Sequence, residues 1–199
     1  LIDEHFSARI RAVVLACRLI RHESPLEGIT LVVDKPQGSK VLVLAPHPDD
    51  EVIGCGGTLA KHAAAGDSIL CVYLTTGGIR AALRDTTAED SQNVAIEEAK
   101  RVKPILGMQE QVFLNATHHG WLEASEENIA RISDILKSYQ PDIVYLPFFL
   151  DRHKDHVRTN EILLAAAKKS GARFDCYGYE VWSLLEPNIV VDISDFMET

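Results

Sequence analysis

No apolar run in this 199-residue sequence approaches the roughly 20 residues that a membrane-crossing helix needs. No stretch near its start has the pattern of a secretory signal either. Close cysteine pairs are also lacking. Cys17, Cys55, Cys71 and Cys176 lie scattered among Val, Leu, Ala and Gly, which argues against a thiolate zinc site or a dithiol redox motif. They read instead as small buried thiols of a reducing compartment, so a cytoplasmic chain is expected. Basic excess is missing: 20 Lys and Arg stand against 29 Asp and Glu, for a net charge of −9. Nucleic acid is not expected as a partner, because a phosphate backbone is gripped through Lys and Arg. There is no P-loop, internal repeat or low-complexity linker. The chain opens on Leu1 rather than Met and stops at Thr199 just after a β-like stretch. That leaves open a fragment or processed form, with a leader ahead of it or a C-terminal element beyond it.

What is present suits one globular domain. Hydrophobic residues make up 46% and charged residues 25%, enough to bury a core without disulfides at this length. Residues 1–39 read as an extension of the domain that follows. Phe6, Ile10, Val13, Val14 and Ile20 give residues 3–22 one apolar helical face opposite Arg11 and Arg18. Docking on the domain is favoured over an anionic membrane surface for such a helix. A short β-like piece, Ile29–Val33, and a Pro-Gln-Gly turn come next.

From residue 40 to 199 strands and helices alternate. Strands are expected at Val41–Ala45, Ser68–Leu74, Val112–Asn115 and Asp142–Pro147, with β-like stretches near Tyr177–Trp182 and Ile189–Ile193. Helices are expected at Gly57–Ala65, Ala88–Leu106, Glu126–Tyr139 and His156–Lys169, several of them stopped by Gly or Pro. This order predicts an α/β fold, a Rossmann-like three-layer sandwich with a mostly parallel sheet. Ligands of such sheets bind beyond the carboxyl ends of the strands.

Two clusters stand at those ends. The first is Pro46-His47-Pro48-Asp49-Asp50-Glu51, directly after the first buried strand. Three adjacent carboxylates repel one another unless a cation is present. An imidazole with a carboxylate is a sound ligand pair for zinc, and two prolines stiffen the loop. One Asp can then bind the metal while its neighbour faces a bound water. An acidic turn capping the next helix explains the same residues equally well. The second cluster, Asp151-Arg152-His153-Lys154-Asp155-His156, follows the strand ending at Pro147. His153 and His156 share a face if the segment is helical. In the expected topology both clusters reach one rim, which favours the metal reading. His5, His22 and His62 lack clustered partners and read as surface or helix-end residues. Trp182 reads as a core residue first, with a place at the site rim as the second reading.

The run Pro-His-Pro-Asp-Asp-Glu at 46–51, with Gly54, Gly56 and Gly57, and His-x-Asp-His at 153–156, resembles the PIG-L/LmbE-like zinc-dependent N-deacetylases. The resemblance runs from about Lys40 to Trp182. It implies a hydrolase that removes an N-acetyl or other N-acyl group from an amino sugar or its conjugate by attack of a metal-bound water. It implies one Zn2+ per chain held by His47, Asp50 and His156. Asp49 would be the general base, and a protonated His153 would stabilise the oxyanion. Asp155 would orient a histidine, and Glu51 would be an outer acceptor or part of a helix start. Thr76, Gly77, Gly78 and His119 are the expected substrate contacts, with His118 and Trp121 beside them as a second wall or an exposed loop tip. Three positions depart from the pattern: Thr76 and His119 stand where Asp is frequent, and Ala95 where Arg is frequent. The metal chemistry is unaffected, but the usual sugar contacts are not all present.

A non-catalytic sugar- or nucleotide-binding module on the same scaffold is the alternative. It gives little reason for a metal triad together with a separate base. Phosphoester hydrolysis is weaker still, since no Arg cluster lies near the motifs. The expected partner is a small N-acetylated amino sugar or conjugate, and a homo-oligomer remains open.

Overall fold

The computed structural model describes residues 30–76, 87–118 and 121–197. The helix expected over residues 3–22 lies outside them. In chain order the first elements are β1 (Leu31–Val33), β2 (Lys40–Ala45), α1 (Asp50–Ala64), β3 (Ser68–Tyr73), α2 (Ala88–Ile105) and β4 (Glu110–Phe113). They are followed by β5 (Thr117–His118), β6 (Trp121–Leu122), α3 (Glu126–Tyr139), β7 (Ile143–Pro147), α4 (Lys154–Ser170), β8 (Asp175–Tyr179) and β9 (Ile189–Val191).

β2 is central because it is apolar on both faces. Val41, Val43 and Ala45 alternate with Leu42 and Leu44, and all five are fully buried. Such a strand needs a layer over each face, and the alternation supplies two cores. Val41 and Val43 join Cys55 and Leu59 of α1, Ala99 of α2 and Tyr179 on one side. Leu42 and Leu44 join Ile132 and Leu136 of α3, Ile162 of α4 and Phe174 on the other. Each fully buried aliphatic side chain contributes about 1.5–3 kcal/mol relative to exposure.

The main sheet has five strands in the order β4-β3-β2-β7-β8, and every pairing is parallel. With two helices on each face this is the expected three-layer α/β sandwich. β1 pairs in parallel with β9, and β5 with β6 makes a short antiparallel hairpin. From β2 the chain winds outward to β3 and β4, then returns beside β2 as β7. The winding direction therefore reverses between β2 and β7, and their carboxyl ends flank the crevice where open sheets bind ligands.

Some boundaries differ from expectation. α1 begins at Asp50, not near Gly57. Gly54, Gly56 and Gly57 are all helical, and two of them let the helix approach its neighbours closely: a Cβ on Gly54 would overlap the Tyr179 ring, and one on Gly57 would overlap Ile193. β4 starts two residues before the expected stretch, as a partly exposed edge strand. β8 ends at Tyr179, so Trp182 lies beyond it and is 70% exposed rather than in the core. His62 is fully buried: its Nδ1 lies 2.7 Å from Asp67 Oδ2 and its Nε2 3.0 Å from the Tyr145 hydroxyl.

The close approach of α1 gives a direct test. Gly54→Ala should destabilise the protein by about 1–3 kcal/mol through overpacking against Tyr179. At Gly56, where the nearest atoms stand 3.8 Å from an added Cβ, alanine should be neutral or add about 0.5–1 kcal/mol of helix stability. Urea denaturation of the two variants checks the contrast.

Candidate metal centre

The loop after β2 is fixed before its carboxylates are considered. Pro46 and Pro48 are buried. The Pro46 carbonyl accepts the Thr75 N–H at 2.9 Å and the Thr75 hydroxyl at 2.8 Å, which ties the loop to the end of β3. Asp49 then takes a backbone conformation rare for any residue with a side chain, φ 140° and ψ −26°. Its carbonyl accepts from Val52 and Ile53 as α1 begins, and its N–H donates to Glu51 Oε2 at 3.2 Å. Strain of this kind costs of order 1–3 kcal/mol and persists where the surroundings impose it.

Glu51 is one of those surroundings. It is fully buried, and its Oε1 accepts from the Tyr73 hydroxyl at 2.8 Å. Burial lifts its pKa to about 7, against the opposing hydrogen bond from Tyr73. Glu51 therefore clamps the Asp49 backbone to β3.

At the end of β7 the chain turns into α4 through Asp151 and His153. His153 caps the helix: its Nδ1 accepts the Asp155 N–H at 3.3 Å. The proton of the neutral ring then sits on Nε2. Burial, followed by the neighbouring His47 and His156, lowers the His153 pKa.

The two loops meet across the β2–β7 crevice. Asp50 Oδ2 lies 3.1 Å from His47 Nδ1 and 3.4 Å from His156 Nε2. Asp155 Oδ2 lies 3.0 Å from His47 Nε2. Burial disfavours charge on Asp50, but His156 and His47 hold its pKa well below the usual carboxylate range. His47 shows the complement: burial opposes its charge, yet hydrogen bonds to Asp155 and Asp50 prevail and raise its pKa to about 9. With only side chains to balance them, these carboxylates draw a proton onto a ligand-type imidazole.

The donor set fits a metal ion. Tetrahedral zinc ligands with bonds of about 2.0–2.1 Å stand roughly 3.3 Å apart, close to the 3.1 and 3.4 Å that separate Asp50 Oδ2 from the two imidazoles. His156 is fully buried, and neither of its ring nitrogens has a partner in hydrogen-bond geometry. Asp151 Oδ1 stands 3.4 Å from its Nδ1. A wider set is also compatible: single ring nitrogens of His47, His153 and His156 lie within 4.8 Å of one another. The closer spacing favours Asp50 as the third donor, because His153 already uses Nδ1 as a helix cap.

Of the expected substrate contacts, Thr76 is buried, with its hydroxyl 3.3 Å from Asn115 Oδ1. Gly77, Gly78 and His119 lie outside the described residues. Sequence reasoning assigned no role to Asp151. Its side chain is fully buried and accepts the His153 N–H at 2.8 Å and the Trp182 N–H at 3.0 Å. Burial works against its charge, but these N–H donors keep its pKa below the ordinary value. A carboxylate a few residues past a buried strand was the available signal.

A crevice of imidazoles and carboxylates at the switch point of a parallel sheet defines a class of α/β metal-site proteins. The chain matches the family model PIG-L, GlcNAc-PI de-N-acetylase, over residues 42–167, and it belongs to that family. The diacetylchitobiose deacetylase of Thermococcus kodakarensis is 28% identical over 177 residues, covering 80% of this chain and 65% of that protein. The chain thus spans just under two thirds of that relative. The crystal structure of a conserved protein from Thermus thermophilus is 29% identical with a TM-score of 0.66, covering 80% of this chain and 74% of the other. The N,N'-diacetylchitobiose deacetylase from Pyrococcus horikoshii has a TM-score of 0.72 at 24% identity, covering 100% of this chain and 77% of that one. That last likeness shows the fold.

The geometry predicts how metal affinity divides among these residues. His156→Ala should lose more affinity for zinc than the roughly 10–100-fold typical of removing an outer partner, whereas Asp49→Ala should bind within a few-fold of the wild type. Competition against a chromogenic chelator measures both. Equal losses would contradict the division.

Proposed function

We propose that this chain is a zinc-dependent N-deacetylase, a hydrolase of linear amides that acts on an N-acetylated amino sugar or its conjugate. The observation that carries the proposal is the pairing of a compact donor set, His47, Asp50 and His156, with an adjacent acidic residue, Asp49, whose backbone is strained and held by Glu51. A ligand cluster alone would serve a structural or sugar-binding module. An acidic residue fixed through its backbone beside such a set suits proton transfer. Membership of the PIG-L family and likeness to a diacetylchitobiose deacetylase support amide hydrolysis on amino sugars.

Zinc held by His47, Asp50 and His156 would polarise the amide carbonyl and lower the pKa of a bound water to about 7. The remaining work falls to the protein. Asp49 takes the proton of the attacking water and later delivers it to the departing amine. His153 donates Nε2–H to the carbonyl oxygen as it gains charge. Asp155 holds the His47 ring through Nε2, which sets its orientation. Glu51 and Tyr73 fix Asp49 from behind. The products are a free amine and a carboxylate, acetate for an N-acetyl substrate. Thr76, Gly77, Gly78 and His119 remain proposed substrate contacts.

Asp49→Asn tests this reading. With N-acetylglucosamine and N,N'-diacetylchitobiose as substrates, acetate release should fall by about 10²–10⁴-fold, with zinc content unchanged. Undiminished turnover would remove Asp49 as the base. A wild type that binds these sugars and releases no acetate would favour the binding-module alternative.

A further inference from the structure

The second motif contains two aspartates, and each spends one carboxylate oxygen on the site and the other on a different loop. Asp155 Oδ2 contacts His47 Nε2 at 3.0 Å, while its Oδ1 accepts the N–H of Leu122 at 3.0 Å. Asp151 Oδ1 faces the His153 N–H and His156 Nδ1, while its Oδ2 accepts the N–H groups of Trp182 at 3.0 Å and Ser183 at 3.2 Å. The Arg152 N–H adds a bond to the Ser183 hydroxyl at 2.9 Å. Both aspartates are buried. The β5–β6 hairpin and the segment after β8 are thus bound, by backbone, to the loop that carries the site histidines.

Each bound loop presents a tryptophan, and the sequence has only two. Trp121 directly precedes Leu122 and is 46% exposed, with Lys154 Nζ 5.4 Å from its ring centre. Trp182 is itself the residue that Asp151 holds, and it is 70% exposed. Each ring is an exposed apolar surface whose backbone is anchored at a carboxylate that also contacts a site histidine, so a ligand at the site can cover it. A pyranose offers a suitable cover. Its axial C–H groups form an apolar face that packs on an aromatic ring, and its hydroxyls remain free for polar neighbours such as Lys154.

We propose that Trp121 and Trp182 are two aromatic walls of the substrate cleft, one on each side of the metal loop, and that Asp155 and Asp151 set their positions. The walls take the sugar rings of an amino sugar or short amino-sugar oligomer. This rests on the amino-sugar reading above for the chemistry of the occupant. Asp151 acts here as a positioning residue: its loss frees the Trp182 segment.

Having only two tryptophans makes the test direct. Trp121→Phe and Trp182→Phe each leave one emitter, so fluorescence reports one wall at a time. The zinc-loaded variants are titrated with N-acetylglucosamine and N,N'-diacetylchitobiose. The expected result is a saturable change in emission from each remaining tryptophan. Adding Asp151→Asn should weaken the Trp182 response at least tenfold and leave the Trp121 response within a few-fold. In steady state Trp182→Ala should raise KM about tenfold, with a much smaller loss in kcat. If the wild type deacetylates these sugars while neither tryptophan responds and KM is unchanged, the walls are wrong and the deacetylase stands. If both tryptophans respond but no acetate is released, the walls stand and the deacetylase falls. Silence in both assays overturns both. A Trp182 response untouched by Asp151→Asn would overturn the positioning role.

Discussion

Like charge crowded into one crevice is the constraint from which the site follows. Asp50 and Asp155 press on the same imidazole from its two nitrogens, Asp50 reaches the second imidazole as well, and Asp151 closes on that ring from the other side. Such an arrangement costs desolvation and repulsion, and against burial the hydrogen bonds to Asp155 and Asp50 raise the His47 pKa in response. A divalent cation among the same atoms relieves it without a proton. Two of the donor separations, 3.1 Å and 3.4 Å from Asp50 to the imidazoles, match those around a tetrahedral ion.

The sheet makes this crowding sustainable. β2 and β7 are adjacent, parallel and buried on both faces, so the two motif loops leave the core from fixed points. The chain then uses hydrogen bonds to direct each side chain. Thr75 holds Pro46, Glu51 holds the strained Asp49 backbone, and His153 caps its own helix and so fixes its own tautomer. Asp151 and Asp155 extend the same logic outward, joining the metal loop to the segments that carry the two exposed tryptophans. The site and its rim are one bonded network.

Much of this was legible in the sequence. The uninterrupted apolar run Val41–Ala45 announced a strand buried on both sides, and the alternation after it announced the parallel sheet. The two His/Asp clusters were visible because each directly follows such a strand. What local pattern concealed was decided by contacts across the fold. The helix starts seven residues before Gly57, and Gly54 and Gly57 are glycine because Tyr179 and Ile193 occupy the space a side chain would need. His62 does stand in the last turn of its helix, but it is buried rather than at the surface, where Asp67 and Tyr145 satisfy it. Trp182 looked like core because aromatics in β-like stretches usually are, whereas the strand stops three residues earlier. The tautomer of His153 depends on a cap bond to a backbone N–H that spacing does not reveal.

The claim at the centre of this account is that the crowded carboxylate, Asp50, and the two imidazoles beside it are metal ligands. Crystals grown with zinc and measured at the zinc absorption edge address it most directly. The account predicts one anomalous peak per chain within bonding distance of His47, Asp50 and His156, with His153 and Asp49 outside that distance. A peak bonded to the three histidines with Asp50 apart from it, or no peak in the β2–β7 crevice, would contradict it.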